Sequence, residues 1–167
     1  METKTLIKKL LENFGEDPER EGLKETPCRV QKMYEEILSG YNQEPKDIFK
    51  FFDSEQYEGT VELKEIPFFS LCEHHLLPFW GTIDILYRPN GHIVGISKLA
   101  RLVEIYSRRL QIQERLTRQI AEAVMENLCP KGCVVIVRAE HLCMSMRGVK
   151  RPGMITETKC IKGEVNF

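Results

Sequence analysis

"TVELKEIPFFSLCEHHLLPFWGTIDILYRP", residues 60–89, places two alternating segments on either side of a cluster of reactive side chains. Residues 60–68 and residues 81–89 alternate apolar with polar side chains at a period of two. This period is typical of β-strands, in which successive side chains point to opposite faces. Both segments are therefore predicted to form strands, and the alternation assigns Leu63 and Ile66 to opposite faces of the first one.

Helical periodicity, with apolar residues three and four positions apart, marks much of the remaining chain. Thr26 is predicted as the N-cap of one helix, with Pro27 at its first helical position and Gly40 at its end. The other predicted helices span residues 4–13, 99–110 and 113–128; a short strand is predicted within residues 90–98, and further strands at residues 133–144 and 155–161.

The helices and strands are segregated along the chain, which favours an α+β class over a regular succession of βαβ units. A chain of 167 residues fits one domain with a sizeable core, and one copy could also be a subunit of a larger assembly. Within the single domain, residues 1–57 are predicted as an N-terminal helical segment and residues 58–167 as the core. The aromatic cluster "IFKFF" within residues 41–57 receives no assignment.

The charge balance and the N-terminal sequence exclude several functional classes. Lys and Arg total 24 against 25 for Asp and Glu, so the chain lacks the basic excess that holds nucleic acid. No apolar run near the start is long enough for a signal peptide or a membrane span, so a cytoplasmic location is expected. The six cysteines are therefore predicted to be thiols, some of them metal-bound, and not a disulfide framework.

One thiol, one carboxylate and two imidazoles stand in consecutive positions in "CEHH", in a chain with only four histidines. If the segment is extended, His74 and His75 face opposite ways and take different roles. Cys72 and His75, three apart, have the reach of a zinc-binding pair. His141 and Cys143, two apart in "AEHLCM", project from the same face if that segment is also extended, and supply further soft ligands.

A set of one imidazole and two thiolates leaves the fourth position of a tetrahedral zinc ion open for water. That open position is the mark of a catalytic zinc site, and the two remaining histidines would be available for proton transfer near neutral pH. Two other readings stay open. Either pair taken alone is more often a set of buried packing groups, and a structural zinc module would have a closed set of four ligands.

Several basic residues are spaced as a phosphate site would require. Lys98 and Arg101 lie three apart at a predicted helix start, and Arg147 follows the second Cys/His pair. Arg29 and Lys32 also share one helical face. Each could be solvated surface charge, but if they converge they would bind a multiply charged phosphate. The glycine patterns of P-loop and Rossmann nucleotide sites are absent from the sequence.

A carboxylate and an amide, Glu114 and Gln113, begin the predicted helix 113–128. By default a glutamate there interacts with the positive end of the helix dipole. It could equally accept two hydrogens from a planar ligand.

Five motifs together resemble the zinc-dependent GTP cyclohydrolase I family: "GLKETPCRVQKMYEEILSGY", "FSLCEHHLLPFWG", "VGISKLAR", "RRLQIQERLTRQIA" and "AEHLCMSMRGVKRPG", in that order. The resemblance covers about residues 5–158. It implies the tunnelling fold, an antiparallel sheet with helices packed on one side. It also implies a homo-oligomer, a toroidal decamer of two pentamers whose active sites lie between subunits.

The same resemblance implies roles for individual residues. It implies that the protein binds Zn²⁺ and acts on GTP and water. The charge balance and the lack of a long apolar run predict no nucleic-acid or membrane partner. The implied metal ligands are Cys72, His75 and Cys143, and the implied proton-transfer residues are His74 and His141. Glu114 would bind the guanine ring, with Gln113 beside it. The implied triphosphate contacts are Ser97, Lys98, Arg101 and Arg147, together with Arg29 and Lys32 from a neighbouring subunit.

The implied reaction is hydrolysis and ring rearrangement of GTP to 7,8-dihydroneopterin triphosphate with release of formate, the first step of tetrahydrofolate and pterin biosynthesis. A zinc nucleoside deaminase is disfavoured because the chain has neither H-x-E nor P-C-x-x-C. The sequence departs from the family after "PG", where "MITETK" replaces a run of Ser and Thr. The alternative is therefore a non-catalytic relative that binds a purine or a pterin.

Overall fold

The computed structural model describes residues 2–164, so Met1 and the end of the predicted core, 165–167, lie outside the described residues. The chain divides into two compact units between Ser39 and Gly40. The first unit contains two helices that pack against each other, α1 (Thr3–Asn13) and α2 (Thr26–Ile37). The prediction of Thr26 as the N-cap is wrong. Glu25 occupies that position, and Thr26 is the first helical residue.

The second unit contains the sheet, and every strand that periodicity predicted is present. Two short 3-10 helices, Ser39–Asn42 and Pro45–Ile48, precede it, and the unassigned aromatic cluster contributes its first strand. The remaining elements are β1 (Phe51–Asp53), β2 (Val61–Cys72), β3 (Pro78–Arg88), β4 (His92–Val94), α3 (Ile96–Ser107), β5 (Leu110–Gln111), α4 (Gln113–Leu128), β6 (Gly132–His141), α5 (Leu142–Ser145) and β7 (Thr156–Gly163).

Five strands form one sheet in the order β5-β2-β3-β6-β7, and β1 pairs with β4 in a separate two-stranded sheet. All pairings in the large sheet are antiparallel except the short parallel pair of β5 and β2. The alternating side chains of the central strand β3 and of β6 point toward α3 and α4, and the core lies between this face and the two helices. The predicted α+β class is confirmed.

A β-bulge in β2 keeps its apolar residues on one face. The pairing register shifts after Leu63, which lies opposite Ile85, so that Ile66 lies opposite Ile83. Because Ile83 and Ile85 share a face, Leu63 and Ile66 also share it, and their predicted placement on opposite faces is wrong. The bulge inserts Glu65 with a positive φ of 57°, which resets the alternation by one residue.

A charged network on the other face of the sheet connects this bulge to three further strands. The backbone N–H of Glu65 donates to Oδ1 of Asp84 at 2.8 Å, and Arg138 donates to Oδ2 of Asp84 at 2.7 Å. Arg138 also donates to Glu157 on β7 at 2.7 Å. Burial of Asp84 opposes its ionisation, but these hydrogen bonds outweigh that effect and hold the pKa of Asp84 below its usual value.

We expect Asp84→Ala to lower the free energy of unfolding by about 1–3 kcal/mol, because it leaves the Glu65 N–H and one side of Arg138 without their acceptor. Urea denaturation at neutral pH measures this. Because the folded-state pKa of Asp84 is depressed, the stabilisation is present above the usual pKa of 3.8 and is lost as the pH falls below it, so the gap to the wild type should narrow in acid. Glu62→Ala, which removes an exposed carboxylate paired with Lys64, is the control. An equal loss of unfolding free energy in the two variants would contradict the stabilising role of the Asp84 network.

Candidate metal and catalytic site

The "CEHH" segment is a turn, not an extended strand. Cys72 is the last residue of β2, and its carbonyl accepts hydrogen bonds from the N–H groups of His75 at 3.3 Å and Leu76 at 2.9 Å. The Leu76 backbone has a φ of 52°, which reverses the chain toward β3. The rings of His74 and His75 lie at 79° to each other with centroids 6.1 Å apart. Nδ1 of His74 and Nδ1 of His75 lie 3.8 and 3.7 Å from Sγ of Cys72, so both rings lie beside the same thiol and do not face opposite ways as an extended segment predicted.

Cys72, His75 and Cys143 bring their ligand atoms within 4.8 Å of one another, and within residues 2–164 no other set of three metal-binding side chains does so. Sγ of Cys72 lies 3.7 Å from Nδ1 of His75. A sulfur and a nitrogen bound to one tetrahedral zinc ion are about 3.6 Å apart, so these two atoms already have the required separation. The soft donor set also fits zinc, and these three residues could hold a metal ion.

Cys143 reaches the group because the chain changes direction after His141. β6 ends at His141, and Cys143 lies in the short helix α5, so the prediction that both project from one extended segment is wrong. Burial and the neighbouring thiol of Cys72 raise the pKa of Cys143. Two thiolates side by side repel each other in a partly buried place, and a bound cation would relieve that repulsion. Nη1 of Arg147 lies 3.4 Å from Nε2 of His75, so Arg147 borders the site.

The ring of His141 is held from two directions. It stacks on Phe79, which is fully buried and lies opposite it on β3, with centroids 4.7 Å apart and the planes 2° from parallel. Nε2 of His141 lies 2.8 Å from Oε1 of Gln113, the first residue of α4. Burial lowers the pKa of His141, and the negative charge of Glu114 partly opposes this.

A bidentate ion pair that the sequence analysis did not predict joins the turn to α4. Arg115 donates to both oxygens of Glu73, at 2.5 and 3.0 Å, and this holds the pKa of Glu73 below its usual value. Arg115 is next to Glu114, so the pair connects the metal-ligand turn with the helix start that carries Glu114. Sequence spacing could not reveal the pair because its members lie on separate elements, far apart in the chain.

Only some of the predicted phosphate contacts lie near a helix start, and the convergence of the whole set stays a prediction. Ser97 and Lys98 lie in the first turn of α3, where the N–H of Lys98 donates to the Gly95 carbonyl at 2.8 Å, and Arg101 lies one turn further on. Arg29 and Lys32 are exposed on α2, in the first unit. Their assignment to a neighbouring subunit's site likewise stays a prediction.

Comparisons with known proteins identify the family of this chain. The GTP cyclohydrolase I family matches residues 3–166. Proteins named GTP cyclohydrolase 1 from Carboxydothermus hydrogenoformans and Streptococcus agalactiae are 51% and 54% identical over 94% of this chain and cover 82% and 84% of their own lengths. The protein of that name from Caldanaerobacter subterraneus is 50% identical over 96% of this chain and 86% of its own. The crystal structure of an archaeosine synthase QueF-Like in the apo form superimposes with a TM-score of 0.53 at 21% identity, covering 66% of this chain and all of that one.

The sheet with helices on one face is the tunnelling fold, as the structural likeness indicates. On that fold, a Cys/His group that could hold a metal lies next to the half-buried His141, and the family match identifies the chain as a hydrolase. The chain belongs to the GTP cyclohydrolase I family, and it is an enzyme of that activity. No helix within residues 2–164 is long and apolar enough to cross a membrane.

We expect Cys143→Ala to lose tightly bound zinc, because only one thiolate and one imidazole would remain. The measurement is zinc per chain by mass spectrometry of metals after loading and desalting, with about one zinc expected for the wild type. Cys129→Ala is the matched control, since Cys129 is an exposed thiol outside the ligand group. Full zinc retention by Cys143→Ala would contradict the assignment.

Proposed function

We propose that this enzyme uses zinc held by Cys72, His75 and Cys143 to hydrolyse GTP at C8 of the guanine, giving 7,8-dihydroneopterin triphosphate and formate. The observation that carries the proposal is the position of the half-buried, oriented His141 two residues from Cys143, a member of the group of three soft ligands. Bound there, zinc would supply Lewis-acid chemistry that makes water a nucleophile near neutral pH. The three-ligand set is consistent with that role because it leaves one tetrahedral position for a non-protein ligand.

The chain's own histidines supply the proton transfers in this proposal. C8 of guanine lies between two nitrogens, and a proton placed on N7 makes that carbon more electrophilic. His141 suits this task because its ring is fixed in the site, with His74 serving later transfers. After formate leaves, the ribose rearranges and the new ring closes, and these steps need proton donors and acceptors but no further cofactor.

Glu114 provides the selectivity for guanine. Its carboxylate accepts hydrogens from N1 and N2 of the base, which adenine cannot offer. The triphosphate is bound by Ser97, Lys98, Arg101 and Arg147 from one chain and by Arg29 and Lys32 from a neighbouring chain. This arrangement requires a homo-oligomer, and we propose the decamer with active sites between subunits. The balanced net charge of −1 agrees with a local phosphate site instead of a basic surface.

The product places the enzyme at the first step of tetrahydrofolate and pterin biosynthesis, and we propose that it acts in the cytoplasm. The second candidate is a non-catalytic relative that binds a purine or a pterin. The observation that favours it is the altered sequence "MITETK" at the start of β7. The two candidates differ in whether formate is formed.

Zinc-loaded enzyme incubated with GTP should release one formate per neopterin, measured by formate assay and by the fluorescence of the oxidised product. A chelator and His141→Ala should each abolish both signals, because one removes the Lewis acid and the other the proton donor. His92→Ala is the control, since His92 is an exposed histidine at the start of β4. Guanine-specific binding without formate from metal-replete protein would support the non-catalytic relative.

Glu114→Gln should reduce kcat/KM for GTP by at least about 100-fold, because the amide replaces one acceptor with a donor that faces the guanine hydrogens. Steady-state kinetics with GTP checks this. The control is Glu126→Gln, which changes an exposed carboxylate on the same helix. An unchanged kcat/KM for Glu114→Gln would remove Glu114 from guanine recognition.

A further inference from the structure

We propose that Gln113 is a positioning residue that fixes the His141 ring with its hydrogen on Nε2, so that Nδ1 is the nitrogen that exchanges protons with the substrate. The first half of this inference rests on geometry alone. The second half rests on the proposed function, since it assumes that His141 acts on a substrate. The role differs from the substrate contact that the sequence predicted for Gln113.

The orientation of the Gln113 amide follows from the groups around it. Its Nε2 lies 3.0 Å from the carbonyl oxygen of Val137 and 2.9 Å from that of Thr156. Carbonyl oxygens only accept hydrogen bonds, so the NH₂ end of the amide must face them. A flipped amide would place its oxygen against two other oxygens. Oε1 of Gln113 is therefore the atom that faces His141.

The protonation of the His141 ring follows in turn. Oε1 of Gln113 can only accept, and it lies 2.8 Å from Nε2 of His141, so Nε2 must carry a hydrogen. A neutral imidazole has one N–H, so Nδ1 is then the basic nitrogen. Phe79 stacks on the ring and fixes its plane, while Gln113 fixes which edge faces away from the substrate. Together they leave one ring orientation.

Gln113 is itself held by two threonines, one next to its side chain and one bonded to its backbone carbonyl. It is 2% exposed, and its Nε2 also lies 3.2 Å from Oγ1 of Thr158 on β7. Oγ1 of Thr158 lies 2.6 Å from Oγ1 of Thr117 on α4, which in turn donates to the Gln113 carbonyl at 2.7 Å. The amide has no free polar atom to offer guanine in this arrangement. Hydrogen bonds therefore connect β7 to His141 through the Gln113 side chain.

The test combines kinetics with ¹⁵N NMR of zinc-loaded protein labelled at its four histidines. At about pH 8, where a neutral ring is expected, the His141 signals of the wild type should show the Nε2–H tautomer. They are assigned by their absence in His141→Ala. Gln113→Met should give a mixture of tautomers and reduce kcat by about 100-fold, with the KM for GTP unchanged, because the ring is misplaced while substrate contacts remain.

Two further variants separate positioning from general stability. Thr158→Val removes the hydroxyl next to Nε2 of Gln113 and should reduce kcat less than Gln113→Met does, and Thr158→Ser should restore it. Gln111→Met is the matched control, because Gln111 is also a buried glutamine but donates to the Tyr106 carbonyl and to Gln119. It should leave kcat and the tautomer unchanged.

Three results would overturn the inference: a wild-type His141 with its hydrogen on Nδ1, a Gln113→Met variant that raises KM without lowering kcat, or the same loss of kcat in Thr158→Ser as in Thr158→Val. A failure of the proposed function can be distinguished from a failure of the inference about Gln113. It would appear as a wild type that releases no formate, and the tautomer measurement would still decide the geometric half.

Discussion

The register of the central strand β3 is the constraint on which the site depends. β3 pairs with β2 and β6 at once, so that Phe79 lies opposite Ser70 on one side and His141 on the other. This brings the end of β2, with Cys72, next to the end of β6, with Cys143 two residues beyond. A slip of one residue in either pairing would turn every side chain of that strand to the other face and separate the ligands. The bulge at Glu65 and the Asp84 network protect this register.

Much of the fold could be predicted from the sequence, because the apolar residues of its strands and helices recur with clear periods. The period of two in β3 predicted the strand, although Asp84 and Leu86 are buried as well as the alternating apolar residues. Residue type and spacing singled out the two Cys/His pairs, and the family resemblance selected the three ligands among them. The bulge in β2 could not be predicted, since it depends on one residue with a positive φ that an alternating pattern does not reveal. The turn at "CEHH" and the helix α5 were missed because both were read as extended.

Contacts between residues that are far apart in the chain could not be predicted from the sequence, for a different reason. Phe79 on His141, Arg115 on Glu73 and Thr158 near Gln113 each join separate elements, and no local spacing encodes them. Each of these contacts holds a charged or polar side chain in a fixed orientation before a ligand binds. Such preorganisation is what makes electrostatic and proton-transfer catalysis effective. The thiols of Cys72 and Cys143 show the same principle, because the turn and α5 hold them next to His75 as a ready-made group of metal ligands.

X-ray absorption at the zinc edge of the zinc-loaded enzyme tests the central claim most directly. We expect two sulfur ligands at about 2.3 Å and two light ligands at about 2.0–2.1 Å, one of them the His75 imidazole and the other not from the protein. Nδ1 of His74 lies 3.8 Å from Sγ of Cys72, so among residues 2–164 His74 is the side chain to test as a fourth protein ligand. An unchanged spectrum for His74→Ala would establish the open position. Loss of an imidazole signal in that variant, or a third sulfur in the wild type, would show a closed structural site and contradict it.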